Sequence, residues 1–276
     1  MKKNFIIIIL AGVILALTVS IFWDKQADNG EAPKKIIALS TFALYDIAKH
    51  ITRDTFELVS IIPAGVDIHS YEPTPQMMAK LEKSDLAVYS GGGLEPWIES
   101  FTFKGRAIGI ANYIKLRKLA PNEFDTHGHH DSQCAHNTID PHYWLDIDNM
   151  KRAADLLTYE FIGLAPKHKQ MFLENREKYI TMLNRIDTMY KEKLSSCRVD
   201  TIVVNHNAFT YLSNKYNFKV ESLTGLSPEA ESSPRDMMRI MNDVKKHQIR
   251  TIFFETFLSD KSMKTLATDV NVKVDV

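Results

Sequence analysis

Strand-length apolar runs alternate with helical patterns along most of this 276-residue chain. The runs lie at residues 35–40, 56–62, 86–90 and 107–110, and again at 200–204, 219–223, 251–254 and 270–276. Helical patterns separate them, and two of these open with a sequence that favours a helix start, Thr74-Pro75 and Ser233-Pro234. Because strands that alternate with helices pair in parallel, the pattern predicts parallel sheets with helices on both faces.

A long helical segment separates the two halves of this alternation. From Asp148 to about Leu194 the pattern is helical almost throughout, and it breaks only at Pro166. The part after Pro166 has about 29 residues, or roughly 43 Å of helix, which is too long for an ordinary crossover. The predicted fold class is therefore α/β, with two parallel-sheet α/β lobes joined by a long rigid helix.

The predicted domains follow from these boundaries. Residues 34–147 form an N-terminal α/β lobe with a histidine-rich loop at 121–141, residues 148–196 form the linking helices, and residues 197–276 form a C-terminal α/β lobe. The chain stops within the last predicted strand and no return helix follows, so we expect the second lobe to be incomplete. The alternative is an edge strand at a natural terminus.

The first 33 residues predict export. Lys2 and Lys3 precede an uncharged apolar run at residues 5–22, which is the pattern of an export signal and is just long enough to span a bilayer. No small-x-small cleavage site is evident before Trp23, and no cysteine follows the run as a lipoprotein anchor requires. We expect residues 1–33 to be an export signal or an uncleaved membrane anchor plus a polar tether. The protein would then lie in the periplasm or on the outer face of the cytoplasmic membrane; the alternative is a buried core helix.

Composition excludes several classes of protein. Lysine plus arginine and aspartate plus glutamate number 34 each, so the basic excess that is typical of nucleic-acid binders is absent. The two cysteines, Cys134 and Cys197, are too few for a disulfide scaffold or a cysteine-rich zinc site. They lie at opposite ends of the predicted linking helices, so we expect free thiols.

Three histidines lie where a ligand could reach them. His69 and His206 follow predicted strands, and His142 follows the histidine-rich loop. Ligands of open parallel sheets bind beyond the carboxyl ends of the strands, so a cleft between the lobes would bring these three side chains together. Imidazole nitrogen is a preferred zinc ligand, and added carboxylates would suit a harder ion. From spacing alone, a surface or hydrogen-bonded role is the more common interpretation for any one of these histidines. We give His50, His168 and His247 that interpretation.

The sequences around these histidines resemble the zinc/manganese solute-binding proteins of bacterial ABC importers (ZnuA/TroA-like). Six segments carry the resemblance, occur in the family's order and cover nearly all of residues 35–276: PAGVDIHSYEPTP (63–75), GGGLEPWIE (91–99), DPHYWLD (140–146), VVNHNAFTYL (203–212), GLSPEAESSPRDM (225–237) and IFFETFLS (252–259). The resemblance implies two α/β lobes joined by a rigid helix, with the metal in the cleft between them.

The resemblance also implies the ligands. His69, His142 and His206 match the first three metal-ligand positions of the family. Histidine at the third position is typical of zinc binders, whereas manganese-type members often carry glutamate there, so we expect Zn(II), with Mn(II) as the alternative. The fourth position is usually acidic or water, and it falls beyond Val276. Asp140 and Asp146 are candidates to accept a hydrogen bond from His142.

The implied function is an extracytoplasmic, high-affinity zinc receptor that delivers metal to an ABC permease and its ATPase. We expect a monomer that is not an enzyme, since the chain has no HExxH or GxSxG motif. The alternatives are a manganese receptor, a three-histidine zinc hydrolase or hydratase, a surface adhesin, or a truncated product without function.

Other residues in these segments depart from the family or lack a metal role. The loop histidines His127, His129, His130 and His136 form either a low-affinity zinc collector, to which Cys134 could add a ligand, or a flexible insertion. Ile68 replaces a proline that many relatives have, which loosens the loop before His69. Glu255 is expected behind the ligands or in packing, and Glu72 and Glu229 have no assigned metal role.

Overall fold

The computed structural model describes residues 33–119, 138–226, 233–255 and 261–275. Contacts divide the chain into two compact units, Met1–Lys34 and Lys35–Val276. The predicted export segment lies outside the described residues, as do the four loop histidines and Cys134. Within the described residues, no helix combines the length and apolarity that crossing a bilayer demands.

The described residues form ten β-strands and seven α-helices. The strands are β1 (Ile36–Leu39), β2 (Glu57–Ser60), β3 (Leu86–Tyr89), β4 (Arg106–Gly109), β5 (Arg117–Leu119), β6 (Thr138–Asp140), β7 (Thr201–His206), β8 (Lys219–Thr224), β9 (Thr251–Phe253) and β10 (Lys273–Asp275). The helices are α1 (Phe42–Thr52), α2 (Pro75–Glu82), α3 (Ile147–Leu164), α4 (Lys169–Leu194), α5 (Thr210–Tyr216), α6 (Pro234–Lys246) and α7 (Lys261–Val270).

The N-terminal lobe is built on a four-stranded parallel sheet with the order β2-β1-β3-β4. The apolar side chains of β1, such as Ile37 and Leu39, are fully buried, and Leu44 and Ile47 of α1 pack in the same core. The chain moves outward from β1 to β2 and then crosses to β3, so the strand order reverses between β1 and β3. Such a switch point is where open α/β sheets bind ligands.

The buried carboxylate of Glu95 binds residues that follow β1 and β3. Glu95 accepts hydrogen bonds from the backbone N–H of Ser90 and of Gly91, each at 2.8 Å, and from the Ser40 hydroxyl. These bonds hold the turn at Gly91 and Gly92, both of which have positive φ. Burial raises the pKa of the Glu95 carboxyl above its usual value, and the hydrogen bonds oppose that shift.

The predicted long helix after Pro166 is confirmed as α4, whose 26 residues extend about 39 Å. Its first half is not free in solvent, because Phe172, Tyr179 and Leu183 are buried in the core of the N-terminal lobe together with α3. Further along, Tyr190 stacks on Tyr216 of α5 with ring centroids 5.2 Å apart. The helix therefore contacts both lobes.

The C-terminal lobe contains two parallel strand pairs, β7-β8 and β9-β10. A second core joins them to α6 and α7 through the buried side chains of Val203, Leu223, Ile240, Ile252 and Leu266. The predicted start of α6 is confirmed, since Ser233 and Asp236 form a reciprocal capping box around Pro234.

One local prediction was wrong. Residues 121–141 were expected to be loop throughout, but Thr138–Asp140 pairs antiparallel with Arg117–Leu119 to form a small hairpin, β5-β6. Three-residue strands carry too little alternation to be recognised in a sequence. Elsewhere, Pro96–Ser100 forms a 3₁₀ helix after the turn at Gly91 and Gly92.

Candidate metal site

The structure brings His69, His142 and His206 together between the two lobes. His69 lies in the loop between β2 and α2, His142 follows β6, and His206 is the last residue of β7. The Nε2 atom of His142 lies 3.1 Å from Nε2 of His69 and 3.3 Å from Nε2 of His206. One ring nitrogen from each histidine lies within 4.8 Å of the other two, and within the described residues no other group of three or more potential ligand side chains does so.

Asp140 holds His142 in place. The buried Asp140 carboxylate accepts hydrogen bonds through Oδ1 from the backbone N–H of His142 at 2.9 Å and from its Nδ1 at 2.7 Å. Because the proton then resides on Nδ1, the Nε2 lone pair is directed at the other two histidines. The other candidate, Asp146, instead caps α3 by accepting from the backbone N–H of Asp148 at 2.8 Å.

Glu255 lies behind His206. Glu255 is the second residue after β9, and its Oε1 lies 2.7 Å from Nδ1 of His206. The two groups are close but poorly aligned, and both His206 Nδ1 and Glu255 Oε2 are buried without a well-formed hydrogen bond. We regard the contact as a polar interaction between the carboxylate and the Nδ1 side of the imidazole, in which the N–H direction is unfavourable for a hydrogen bond. The expected place of Glu255, behind a ligand, agrees with this contact.

His69 is held differently from the other two. Asp67 accepts from the backbone N–H of His69 at 3.0 Å and from the Ser70 hydroxyl at 3.2 Å, which shapes the loop but leaves the imidazole without a carboxylate contact among the described residues. Burial, and then the charges of His142 and His206, lower the pKa of His69 to about 4. The imidazole is therefore neutral at pH 7 and offers a lone pair.

Aromatic rings surround His142 on the outer side. The Trp144 ring contacts the His142 ring with centroids 5.3 Å apart, and Phe42 contacts Trp144 at 5.8 Å. Phe42 is exposed, whereas His142 is only 1% exposed. Excluding water strengthens electrostatic interactions within the site.

The other candidate residues that the structure describes lie apart from the site. His50 is exposed and bonds to the Asp46 carbonyl, and His168 and His247 are partly buried outside the three-histidine group. Glu72 is exposed, and Cys197 is an exposed free thiol, as expected. The histidines of the loop, Cys134 and Glu229 lie outside the described residues.

Nothing in the sequence pattern indicates that Thr210 and Tyr211 belong to the site. Both lie in the segment VVNHNAFTYL, four and five residues after His206, and both reach Asp140 from the other lobe. A hydroxyl at the start of a helix is usually interpreted as a cap or a surface group, so only the tertiary contact identifies them.

The nitrogen geometry fits one metal ion. A tetrahedral zinc ion with Zn–N distances of about 2.0–2.1 Å separates two ligand nitrogens by about 3.3–3.4 Å. The two Nε2 separations in this site, 3.1 and 3.3 Å, are close to that value. Three imidazoles also leave the fourth tetrahedral position open.

Comparisons with known proteins agree with this chemistry. A family model described as zinc-uptake complex component A, periplasmic (ZnuA) matches residues 37–276. The chain is 26% identical over 257 residues to the high-affinity zinc uptake system protein ZnuA of Bacillus subtilis (strain 168), which covers 91% of this chain and 80% of that protein. It is 31% identical over 284 residues to the zinc-binding lipoprotein AdcA of Streptococcus pneumoniae, but spans only 55% of that protein's length.

A solved structure has the same fold. The laminin-binding protein Lmb of Streptococcus agalactiae, described as bifunctional with adhesin and metal-transporting activity, superposes with a TM-score of 0.77 at 26% identity. The superposition covers 88% of each chain. The two-lobe α/β prediction is thus confirmed.

Proposed function

Since the chain belongs to the family of periplasmic zinc-uptake components (ZnuA), we propose that it is an extracytoplasmic receptor that binds zinc(II) and delivers it to an ABC-type permease. Zinc is the cargo of such a protein and not a cofactor for a reaction. The family consists of metal-binding receptors and not of enzymes.

The observation that carries the proposal is the convergence of three imidazole nitrogens at zinc-like spacing. His69, His142 and His206 supply imidazole nitrogens, and each lobe contributes at least one of them. Asp140 fixes the tautomer of His142, as metal-bound histidines usually require. A site whose ligands are already oriented binds tightly because little ordering remains to be done.

Zinc is favoured over manganese by the donor set. Manganese(II) prefers carboxylate and carbonyl oxygens, whereas imidazole suits zinc. The third position is His206, and the carboxylates closest to the imidazoles, Asp140 and Glu255, contact Nδ1 atoms on the side away from the shared nitrogens. A manganese receptor is therefore the less favoured alternative.

The same two carboxylates argue against a zinc hydrolase. A hydrolytic zinc site needs a general base beside the bound water. Asp140 and Glu255 face the backs of two imidazoles, so neither is positioned to take a proton from that water.

The location and partners follow the family. The protein works outside the cytoplasm, with residues 1–33 as export signal or membrane anchor, and hands zinc to a permease driven by its ATPase. We propose that it acts as a monomer with the N-terminal lobe at residues 34–147, the linking helices at 148–196 and the C-terminal lobe at 197–276.

We also propose that the histidine-rich loop collects zinc at low affinity for the cleft. His127, His129, His130 and His136 lie between β5 and β6, and β6 ends at Asp140, two residues before His142. Deleting residues 125–136 should slow zinc uptake from zinc-poor medium while leaving the affinity of the cleft unchanged. Normal uptake after the deletion would exclude this role.

The deciding experiment is a calorimetric metal titration of the protein at pH 7.5. We expect one site with submicromolar affinity for zinc, much weaker binding of manganese, and loss of the tight site in His69→Ala, His142→Ala and His206→Ala. His50→Ala is the matched control, because His50 is exposed and lies outside the group. Tight zinc binding that survives all three substitutions would overturn the proposal, and laminin binding that survives them would indicate a separate adhesin function.

A further inference from the structure

Helix α5 connects the C-terminal lobe to the residue that orients His142. The Tyr211 hydroxyl accepts a hydrogen bond from the backbone N–H of Arg117 at 2.7 Å and donates one to the backbone carbonyl of Asp140 at 3.0 Å. Arg117 and Asp140 are register partners at the end of the β5-β6 hairpin. One tyrosine of the C-terminal lobe therefore binds both strands of this hairpin.

Thr210 makes the more consequential contact. Its hydroxyl donates to Oδ2 of Asp140, while Oδ1 of the same carboxylate accepts from His142. All three residues are buried, with Asp140 0%, His142 1% and Thr210 5% exposed. A single carboxylate thus receives hydrogen bonds from both lobes at once.

Asp140 depends on these donors. Within the described part of the chain, no lysine or arginine forms a salt bridge with Asp140, and the basic side chain that it contacts is His142. A buried carboxylate that loses a hydrogen-bond donor must find another or turn towards water. Loss of the Thr210 bond therefore changes how Asp140 holds the imidazole.

The hydroxyl of Thr210 has no competing local role. Thr210 is the first residue of α5, and no side chain caps the N-terminus of this helix. Two further side chains of α5 also reach other elements, since Lys215 pairs with Asp148 of α3 at 2.8 Å and Tyr216 donates to Asp187 of α4 at 2.8 Å. The helix thus contacts the hairpin at its first residues and the linking helices at its last.

We infer that Thr210 is a positioning residue that couples the contact between the lobes to the zinc affinity of His142. This inference rests on the proposed function. When the lobes are in contact, Thr210 fixes Asp140, which directs Nε2 of His142 at the metal. When α5 moves away, Asp140 and then His142 lose their fixed orientation, and zinc leaves faster. A displacement of about 1 Å is enough, because hydrogen bonds weaken steeply at longer distances.

This coupling suits delivery to a permease. A partner that binds both lobes and separates them slightly would lower the zinc affinity without touching any ligand. The rigid linking helix need not bend, since the required movement is small. The energy for release would come from the partner's preference for the separated state.

The test measures zinc dissociation from the loaded protein by stopped flow with a chromophoric chelator. Removing a residue behind a metal ligand typically costs about 10–100-fold in affinity, and Thr210 acts one step further away. We therefore expect Thr210→Val to accelerate dissociation about 3–10-fold, and Thr210→Ser, which keeps the hydroxyl, to stay within about twofold of the wild type.

A matched control is available in α3. Thr158 is also buried, and its hydroxyl donates to the Ala154 carbonyl far from the histidines. Thr158→Val should lose a comparable hydrogen bond without changing the dissociation rate. A rate increase in both variants would indicate general loosening and would overturn the inference.

A double-mutant comparison separates positioning from packing. If Thr210 acts through Asp140, Thr210→Val should have little further effect on dissociation in an Asp140→Asn background. Full additivity in that background, or an unchanged rate in a folded Thr210→Val protein, would contradict the inference. Failure of the wild type itself to bind zinc would instead refute the proposed function, so the two failures are distinguishable.

Discussion

The two proposed ligands of the N-terminal lobe, His69 and His142, are supported in opposite ways. His142 lies in a segment, Asp140 to Tyr143, in which every residue is buried, and Asp140 bonds both its backbone N–H and its ring. His69 lies in the loop at residues 63–74, in which no residue is buried, and its ring lacks a carboxylate partner among the described residues. One ligand is fixed by the fold and the other by a surface loop.

This difference suggests a division of tasks. A fixed ligand provides affinity and geometry, because its orientation is established before the metal arrives. A ligand on an exposed loop can move away without disturbing the core, and loops of this kind are drawn from the less stable parts of a protein. We expect zinc to enter and leave on the side of His69.

The largest expected effect comes from removing each ligand in turn. Zinc-binding free energies of about 10–16 kcal/mol, shared among three or four ligands, correspond to about 10²–10⁴-fold in affinity for each. His142→Ala should lie at the upper end, because it also leaves Asp140 buried without its imidazole, and His69→Ala should lie at the lower end, because water reaches its position. Competition with a chelator of known affinity measures both losses. A larger loss for His69→Ala would reverse the comparison.

The next effect concerns the two carboxylates behind the imidazoles. Asp140→Asn should weaken zinc binding about 10–100-fold, since it removes the charge that orients His142. Glu255→Gln should cost less, about fivefold at most, because its contact with His206 is poorly aligned. The same chelator competition compares them, with circular dichroism to verify folding. Equal losses in the two variants would mean that the alignment of the carboxylate with the imidazole N–H does not determine how much it contributes to zinc affinity.

The sequence predicted more of the fold than of the contacts within the site. Helix starts at Thr74 and Ser233 and the long helix after Pro166 were visible because they depend on local residue types and on a helical period repeated over several turns. The β5-β6 hairpin was not visible in the sequence, because its two strands have three residues each and are separated by 18 others. Its pairing depends on contacts with Tyr211, 94 residues after Arg117.

The candidate ligands were identified by the resemblance, but the residues that support them were identified only in part. Asp140 precedes His142 by two residues and Asp146 follows it by four, and only the fold makes the first an acceptor for the ring and the second a helix cap. Thr210 could not be found from either the pattern or the spacing, because its role depends on a partner in the other lobe. Side chains that act through tertiary contacts carry no local signal.

A third effect is expected in the pH dependence of the metal-free protein. The pKa of His69 is about 4 in the folded state, against about 6.5 in an unfolded chain, so between these values the unfolded state binds more protons. Stability should therefore fall as the pH drops from about 6.5 towards 4. We expect the part that is due to His69 to be about 1 kcal/mol, because some of the shift depends on the charge of the neighbouring imidazoles.

Denaturant unfolding in the presence of a chelator measures this effect at pH 7 and pH 4.5. The loss of stability between the two values should be smaller in His69→Gln than in the wild type, and unchanged in the control His50→Gln. If His69→Gln loses as much stability as the wild type, the imidazole is protonated freely in the fold and the loop is more open than the structure indicates.

The smallest expected effect tests the loop directly. Ile68 is not among the described residues with positive φ, and its backbone N–H donates to no described acceptor, so a proline at this position would break no hydrogen bond. Ile68→Pro should reduce the freedom of the unliganded loop and tighten zinc binding about 2–5-fold, equivalent to about 0.4–1 kcal/mol.

Gly65→Ala is the opposing control, because Gly65 has φ of +79° and nothing within 4 Å of an added Cβ, so only backbone strain is introduced. Weaker binding in Gly65→Ala together with tighter binding in Ile68→Pro would show that loop order limits the contribution of His69. If neither variant changes the affinity, the loop is already ordered, and the contrast between His69 and His142 lies in their ring contacts alone.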